Sequence, residues 1–167
     1  MFILARAVTY AALFIGLVLV FLPAQVLSSA GIVQPVALGR WQVGGILLSA
    51  GGAALALSCI LAFAVIGQGT PAPFDPPRRL VVRGPYRVVR NPMYIGAGIA
   101  LAGAALFYQS LALLGYVGAF FLVTHLFVIL YEEPTLRRTF GKDYAQYCED
   151  VGRWWPWTQR RAGRRPS

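Results

Sequence analysis

Charge is what this 167-residue chain has least of. Only 13% of its residues are Asp, Glu, Lys or Arg, against roughly 25% in soluble domains. Acidic residues number six, cysteines two, and histidine occurs once. With 57% hydrophobic residues, this shortage excludes an ordinary soluble domain and points to a single-domain membrane protein. Cys59 lies in an apolar run and Cys148 in a basic tail. A disulfide or a metal site is therefore not expected, and both cysteines read as small apolar or surface residues. The net charge of +9 suits nucleic acid at first sight, but its distribution argues otherwise. Five arginines fall between Arg78 and Arg90 and eight basic residues follow Glu133, all flanking apolar runs. They read as topology signals and contacts with anionic lipid, so the expected partner is a bilayer and not nucleic acid.

Four apolar runs are present. Ala7 to Leu22, preceded by Arg6, reaches with its flanks the ~20 residues that a span needs. A cleaved signal peptide ending near Ser28-Ser29-Ala30 is the rival reading. Residues 28 to 42 form a short connection, and Val43 to Ile66 is a second span whose Gly44, Gly45, Gly51 and Gly52 allow close helix packing. Five glycines and prolines (Gly69, Pro71, Pro73, Pro76, Pro77) rule out a long helix at the start of the next polar segment. Leu80-Val81-Val82 suits a short extended piece. Met93 to Phe107 is a short third span and Leu111 to Tyr131 a fourth. Only Tyr108-Gln109-Ser110 breaks them, which predicts a tight hairpin.

The loop from 67 to 91 holds five arginines and the loop from 28 to 42 only Arg40. The first therefore belongs in the cytoplasm, and four spans bring the C-terminal tail to the same side. Pro134 should stop the fourth helix. Beyond it Leu136, Phe140, Tyr144, Tyr147 and Val151 form one helical stripe, bent near Gly141. Trp154, Trp155 and Trp157 look like an interfacial anchor. The expected fold is thus an all-α polytopic membrane bundle of about four transmembrane helices with a cytoplasmic amphipathic tail. It forms one domain over residues 1–157, with two spans in 1–66, a loop in 67–92, the hairpin in 93–131 and the tail in 132–157. Residues 158–167 are expected to be disordered.

Candidate chemistry gathers at the cytoplasmic ends. Asn91 is a good N-cap and Pro92 suits a first helical turn. A helix start beside Arg87 and Arg90 attracts an anion. Five of the six acidic residues lie between Glu132 and Asp150, and Glu132-Glu133 closes the fourth span. Carboxylates at that depth are usually functional, or else solvated or paired with Arg87 or Arg90. His125 lies seven residues before Glu132, on nearly the same helical face. It is either hydrogen-bonded to a neighbour or a base lining a cavity. Together with Tyr94, Tyr144 and Tyr147, these groups suit a zwitterionic or nucleotide-like ligand.

Arg90-Asn91-Pro92-Met93-Tyr94-Ile95-Gly96 resembles the R-H-P-x-Y-x-G motif of integral-membrane methyltransferases of the isoprenylcysteine carboxyl methyltransferase and phospholipid methyltransferase group. Glu132-Glu133, Leu136, Phe140-Gly141, Tyr144, Tyr147, Val151, Arg153 and Pro156 are similar to that group's tail motif. The resemblance covers roughly residues 84 to 156. It implies a cytoplasm-facing S-adenosylmethionine site in a membrane such as the bacterial inner membrane, with S-adenosylhomocysteine as product and a lipophilic or amphiphilic acceptor entering from the bilayer. It implies Arg90, Asn91, Pro92, Tyr94 and Gly96 near the cofactor, Glu132 and Glu133 on its ribose or amino group, and Tyr144, Tyr147 and Arg153 as a lid. His125, Glu133 and Tyr94 are the candidate catalytic groups, and no metal is implied. Asn91 replaces the motif histidine, and no arginine precedes Glu132 within the fourth span. The latter weakens the case for a prenylcysteine carboxylate as acceptor. The competing readings are a non-catalytic membrane scaffold and a nicotinamide-dependent membrane reductase.

Overall fold

The computed structural model describes residues 9, 12, 13, 15–32, 37–62, 65 and 79–156. The chain forms helices α1 (Ile15–Ser29), α2 (Arg40–Ala62), α3 (Pro92–Tyr108), α4 (Leu111–Phe127) and α5 (Glu133–Asp150). Among the described residues there is no strand, only an isolated parallel bridge between Val89 and Gly152. All four apolar runs are helical among the described residues. Two helices among the described residues are long and apolar enough to cross a membrane: α2, with 23 residues and mean hydropathy 2.0, and the Leu111–Asp150 stretch, kinked at Gly141, with 40 residues and 2.2. The apolar part of that stretch ends at Tyr131. The other two are shorter. The 17 residues of α3 rise only ~26 Å, less than the ~30 Å of a hydrocarbon core. Broad exposed faces of α2 and α4, with Leu47, Leu61, Leu122 and Val123 all at least 60% exposed, suit a lipid surround better than water.

Several boundaries differ from expectation. The first helix continues past Leu22 to Ser29, and Pro23 sits in its first α-helical turn after a wide π-helical stretch over Ile15–Phe21. It ends where Gly31 takes φ +74° and Ile32 N–H donates to the Leu27 carbonyl at 2.9 Å, a glycine stop. The second helix begins at Arg40 and is described to Ala62. Residues 66–78 (including the first part of the polar segment), Trp157 and the basic tail from 158 lie outside the described residues.

The seam between α2 and α3 holds the bundle together. Gly45 and Gly52 are its glycines on α2; a Cβ on Gly45 would lie 2.6 Å from the Gly103 carbonyl oxygen. Gly51, by contrast, faces open space. The partners are Gly96, Ala100 and Gly103 of α3. Two side chains lock the register: Ser49 Oγ donates to the Ala100 carbonyl at 3.0 Å, and Gln42 Nε2 to the Phe107 carbonyl at 3.2 Å. The hairpin between α3 and α4 turns as the polar break predicts. Gln109 adopts a left-handed conformation, and Ser110 caps α4 by accepting from Leu113 N–H at 3.2 Å.

Pro134 does not stop the helix. The chain runs from α4 through a wide π-helical turn, Val128–Glu132, straight into α5, with Glu132 and Glu133 both helical. A proline needs the carbonyl four residues earlier moved aside and has no N–H to donate. That carbonyl belongs to Leu130, inside the wide turn, where the hydrogen-bond pattern is already shifted. The real bend is at Gly141, with φ +52° and ψ −118°, a conformation that favours glycine.

Candidate functional site

The site is assembled by folding the tail back over the start of α3. Before α3, Gly84 turns the chain at φ +59° into a short 3-10 turn, Gly84–Arg87. This buries Tyr86 against Cys59 and Val81. After Gly141 redirects α5, the tail reaches the same place. Tyr147 Oη donates to the Tyr86 carbonyl at 2.6 Å. Arg90 N–H donates to the Gly152 carbonyl at 2.8 Å, beside the Val89–Gly152 bridge. Asn91 Nδ2 donates to the Arg153 carbonyl at 3.2 Å. Tyr86, Arg90 and Asn91 are thus strapped to the tail.

The charged core of this strap is Glu133. Arg153 grips it with both arms of its guanidinium, Nε to Oε1 at 2.6 Å and Nη2 to Oε2 at 2.9 Å. Arg90 Nη1 lies 3.2 Å from Oε1. Paired guanidinium–carboxylate bonds of this kind are the strong ones. Burial pushes the Glu133 carboxyl up, but the Arg153 hydrogen bonds and the charges of Arg90 and Arg153 outweigh it and hold the group below its ordinary value. Glu132, its neighbour, behaves differently. Its Oε2 accepts from Tyr94 Oη at 3.0 Å. The two adjacent carboxylates therefore face different surroundings, one saturated with arginine and one beside a phenol.

Next to Tyr94 lies an aromatic cluster between α3, α4 and the tail. Trp154 packs with ring centroids 6.4 Å from Tyr94, 6.4 Å from Phe121 and 6.0 Å from His125. Its Nε1 donates to His125 Nδ1 at 2.9 Å. Arg90 contributes one more feature. Its Nη1 donates to Cys148 Sγ, while its buried Nε has no hydrogen-bond partner among the described residues.

A family model for phospholipid methyltransferases matches residues 41–143. The chain belongs to this family. No curated protein and no solved structure matches it. The family is one of methyltransferases, and the match runs from α2 through both glutamates into α5.

Against that family frame, most of the residues singled out in the sequence meet. Arg90, Asn91, Glu133 and Arg153 form the clasp, and Tyr94 joins Glu132. Pro92 occupies the first turn of α3 and is buried. Tyr144 and Tyr147 are buried in the α5 contact, with Arg137 lying 5.8 Å over the Tyr144 ring. Gly96 faces α2, where a Cβ would lie 2.8 Å from Ala56 N and from the Gly52 carbonyl oxygen, so its lack of a side chain serves helix packing. Asn91 does not cap α3 with its side chain; the amide is turned to the tail instead. His125 and Glu132 do not share partners, because the wide turn between them breaks the regular α-helical phase. The glutamate pair and His125 each had a plainer alternative, and it holds in part: Glu133, though not Glu132, is paired with Arg90, and His125 is hydrogen-bonded to a neighbour.

Trp154 is the residue that sequence reasoning placed wrongly. It is half-buried and turned inward, while Trp155 is 80% exposed and fits an interfacial anchor. Adjacent residues in a non-helical segment point to opposite sides. With Arg153 on Glu133, residue 154 is directed to the α4 side. The motif arginine was the available signal.

Proposed function

We propose that this protein transfers a methyl group from S-adenosylmethionine to a lipophilic or amphiphilic acceptor at the cytoplasmic face of the membrane. The observation that carries the reading is the meeting of the two motifs. Glu132 and Glu133, separated from Tyr94 and Arg90 by a whole helical hairpin, come within 3.0 and 3.2 Å of them.

The residues present fit the group. The unpartnered buried Nε of Arg90 is a donor suited to a carboxylate. Glu132, with one oxygen held by Tyr94, leaves the other for an ammonium or a ribose hydroxyl. The faces of Tyr94 and Trp154 suit a sulfonium cation or a flat base. When bound, S-adenosylmethionine supplies a methyl group on positively charged sulfur, which leaves as a neutral thioether.

The chain's own work is then alignment and exclusion of water. Tyr94 orients Glu132, and the strap through Gly152, Arg153 and Trp154 covers the start of α3. A carboxylate or thiolate acceptor needs no base; an amine or thiol must lose a proton. Glu133 is a poor base, because two arginines stabilise its charged form. His125 Nδ1 is occupied by the Trp154 indole. Glu132 is the remaining carboxylate of the site.

Purified protein titrated with S-adenosylhomocysteine and separately with NADPH tests this reading. Saturable binding of the first alone is expected. Saturable binding of NADPH alone establishes a reductase, and binding of neither a scaffold. Membranes incubated with methyl-labelled cofactor should give a labelled lipid-soluble product that is lost in Glu132→Gln, and unchanged labelling in that variant overturns the assignment of Glu132.

A further inference from the structure

His125 is the only histidine of the chain, and its ring is held by a single donor. Trp154 Nε1 carries a hydrogen and can only donate. Its 2.9 Å contact with His125 Nδ1 therefore requires that Nδ1 be the bare nitrogen. The neutral ring then carries its hydrogen on Nε2. That N–H has no hydrogen-bond partner among the described residues.

The position of the ring gives this N–H a direction of use. His125 follows Phe121 by one turn of α4, and Phe121 is packed where a Cβ on Gly98 of α3 would stand. Its other neighbours, Leu122 and Leu126, are 60% and 47% exposed on the outer face. His125 is half-buried, at the line where the α3–α4 seam meets the apolar exterior. A bare N–H in hydrocarbon is costly and calls for an oxygen. On the inner side, Trp154 links His125 to Tyr94 and so to Glu132.

We infer that His125 is a hydrogen-bond donor, not a base, and that its Nε2–H binds an ester or phosphodiester oxygen of a membrane amphiphile at the α3–α4 seam, with Trp154 as the positioning residue that fixes its tautomer. This rests on the methyltransferase reading above for the identity of that amphiphile as the methyl acceptor, but not for the tautomer. The role assigned to Trp154 is new to the site. Its indole selects which ring nitrogen faces the lipid side.

A single histidine makes the tautomer directly measurable. Protein labelled with [15N]histidine and reconstituted in phosphatidylethanolamine–phosphatidylglycerol vesicles should show one imidazole, protonated at Nε2 and bare at Nδ1. Trp154→Phe keeps a ring but removes the donor, and should yield a mixture of tautomers. A ring protonated at Nδ1 in the wild type overturns the inference, as does an unchanged single tautomer in Trp154→Phe.

The functional arm uses methyl-labelled S-adenosylmethionine added to membranes containing each variant. His125→Ala should lower labelling of the lipid fraction about tenfold, the scale of one lost hydrogen bond. His125→Gln, whose side chain both accepts and donates, should recover most of it. Equal loss in His125→Gln and His125→Ala, with S-adenosylhomocysteine still bound, makes His125 a base and overturns the inference. Failure of the wild type itself to bind S-adenosylhomocysteine strikes the methyltransferase reading instead, and the tautomer measurement still decides the role of Trp154.

Discussion

The seam between α2 and α3 and the strap between the loop and the tail solve opposite problems. At the seam, backbones approach until side chains are excluded. Gly45, Gly52, Gly96 and Gly103 meet the facing main chain, and Ser49 and Gln42 make the side-chain hydrogen bonds across it. At the strap the main chains meet at one place, Arg90 N–H on the Gly152 carbonyl, and side chains make the other links: Arg153 and Arg90 to Glu133, Tyr147 to Tyr86, Asn91 to Arg153. Without a hydrophobic drive between helices in lipid, close van der Waals contact is what holds a seam. A strap at the polar edge instead needs directional, charged bonds. The seam joins α2 to α3, and the strap lies over the start of α3; if the two are independent, the strap can be weakened without loss of the helices.

The largest effect that tests this contrast is loss of Glu133. Glu133→Gln leaves two arginine side chains without their anion. For a buried pair that costs about 3–5 kcal/mol, and the 31% exposure of the Arg153 side chain puts the expectation at the lower end. The tail should become sensitive to protease around residues 151–156 while the helices keep their content by circular dichroism. A matching loss of helix would make the strap part of the bundle's own stability and erase the distinction. Acid offers the same test without mutation. The folded carboxyl lies below its ordinary value, so its contribution is present above the unfolded range and is lost as pH falls through the folded value. Protection of the wild-type tail should hold down to about pH 4, the ordinary glutamate value, and fail below it. Glu133→Gln should show no such step.

The next effect belongs to the seam. A Cβ at Gly52 would lie 2.5 Å from the Gly96 carbonyl oxygen, so Gly52→Ala must part the two helices, at about 1–3 kcal/mol. Its thermal midpoint in detergent should drop, whereas Gly51→Ala, facing open space, should leave it unchanged. Equal behaviour of the two variants would break the picture of a tight seam.

The sequence made the seam more legible than the strap, for physical reasons. Apolar runs and glycine clusters are local and periodic, and they located all four helices and the Gln109-Ser110 turn. Gly141 was readable because a glycine interrupts a helical stripe. The strap depends on partners 20 to 62 residues apart, so the motifs named its members without their pairing. Nothing local separates Glu132 from Glu133, since the arginines that distinguish them come from residues 90 and 153. Pro134 misled because its usual conflict is relieved upstream by the wide turn. Trp154 and Trp155 look alike until Arg153 is anchored.

Asn91 gives the smallest effect and the sharpest separation. As an N-cap it would act through its side-chain oxygen, and aspartate would replace it at little cost. In the strap it acts through Nδ2, donating to the Arg153 carbonyl, and aspartate has no such donor. Asn91→Asp and Asn91→Ala should therefore weaken tail protection alike, by about 1 kcal/mol, with the start of α3 unchanged because the Ile95 N–H to Asn91 carbonyl bond is main-chain. Retention of full protection in Asn91→Asp alone would return the residue to the helix cap. Asn91→His provides the complementary arm: an imidazole N–H can donate to the same carbonyl, so the histidine of the family motif should restore what alanine removes. The departure from the motif at this position then reduces, within the strap, to one donor exchanged for another.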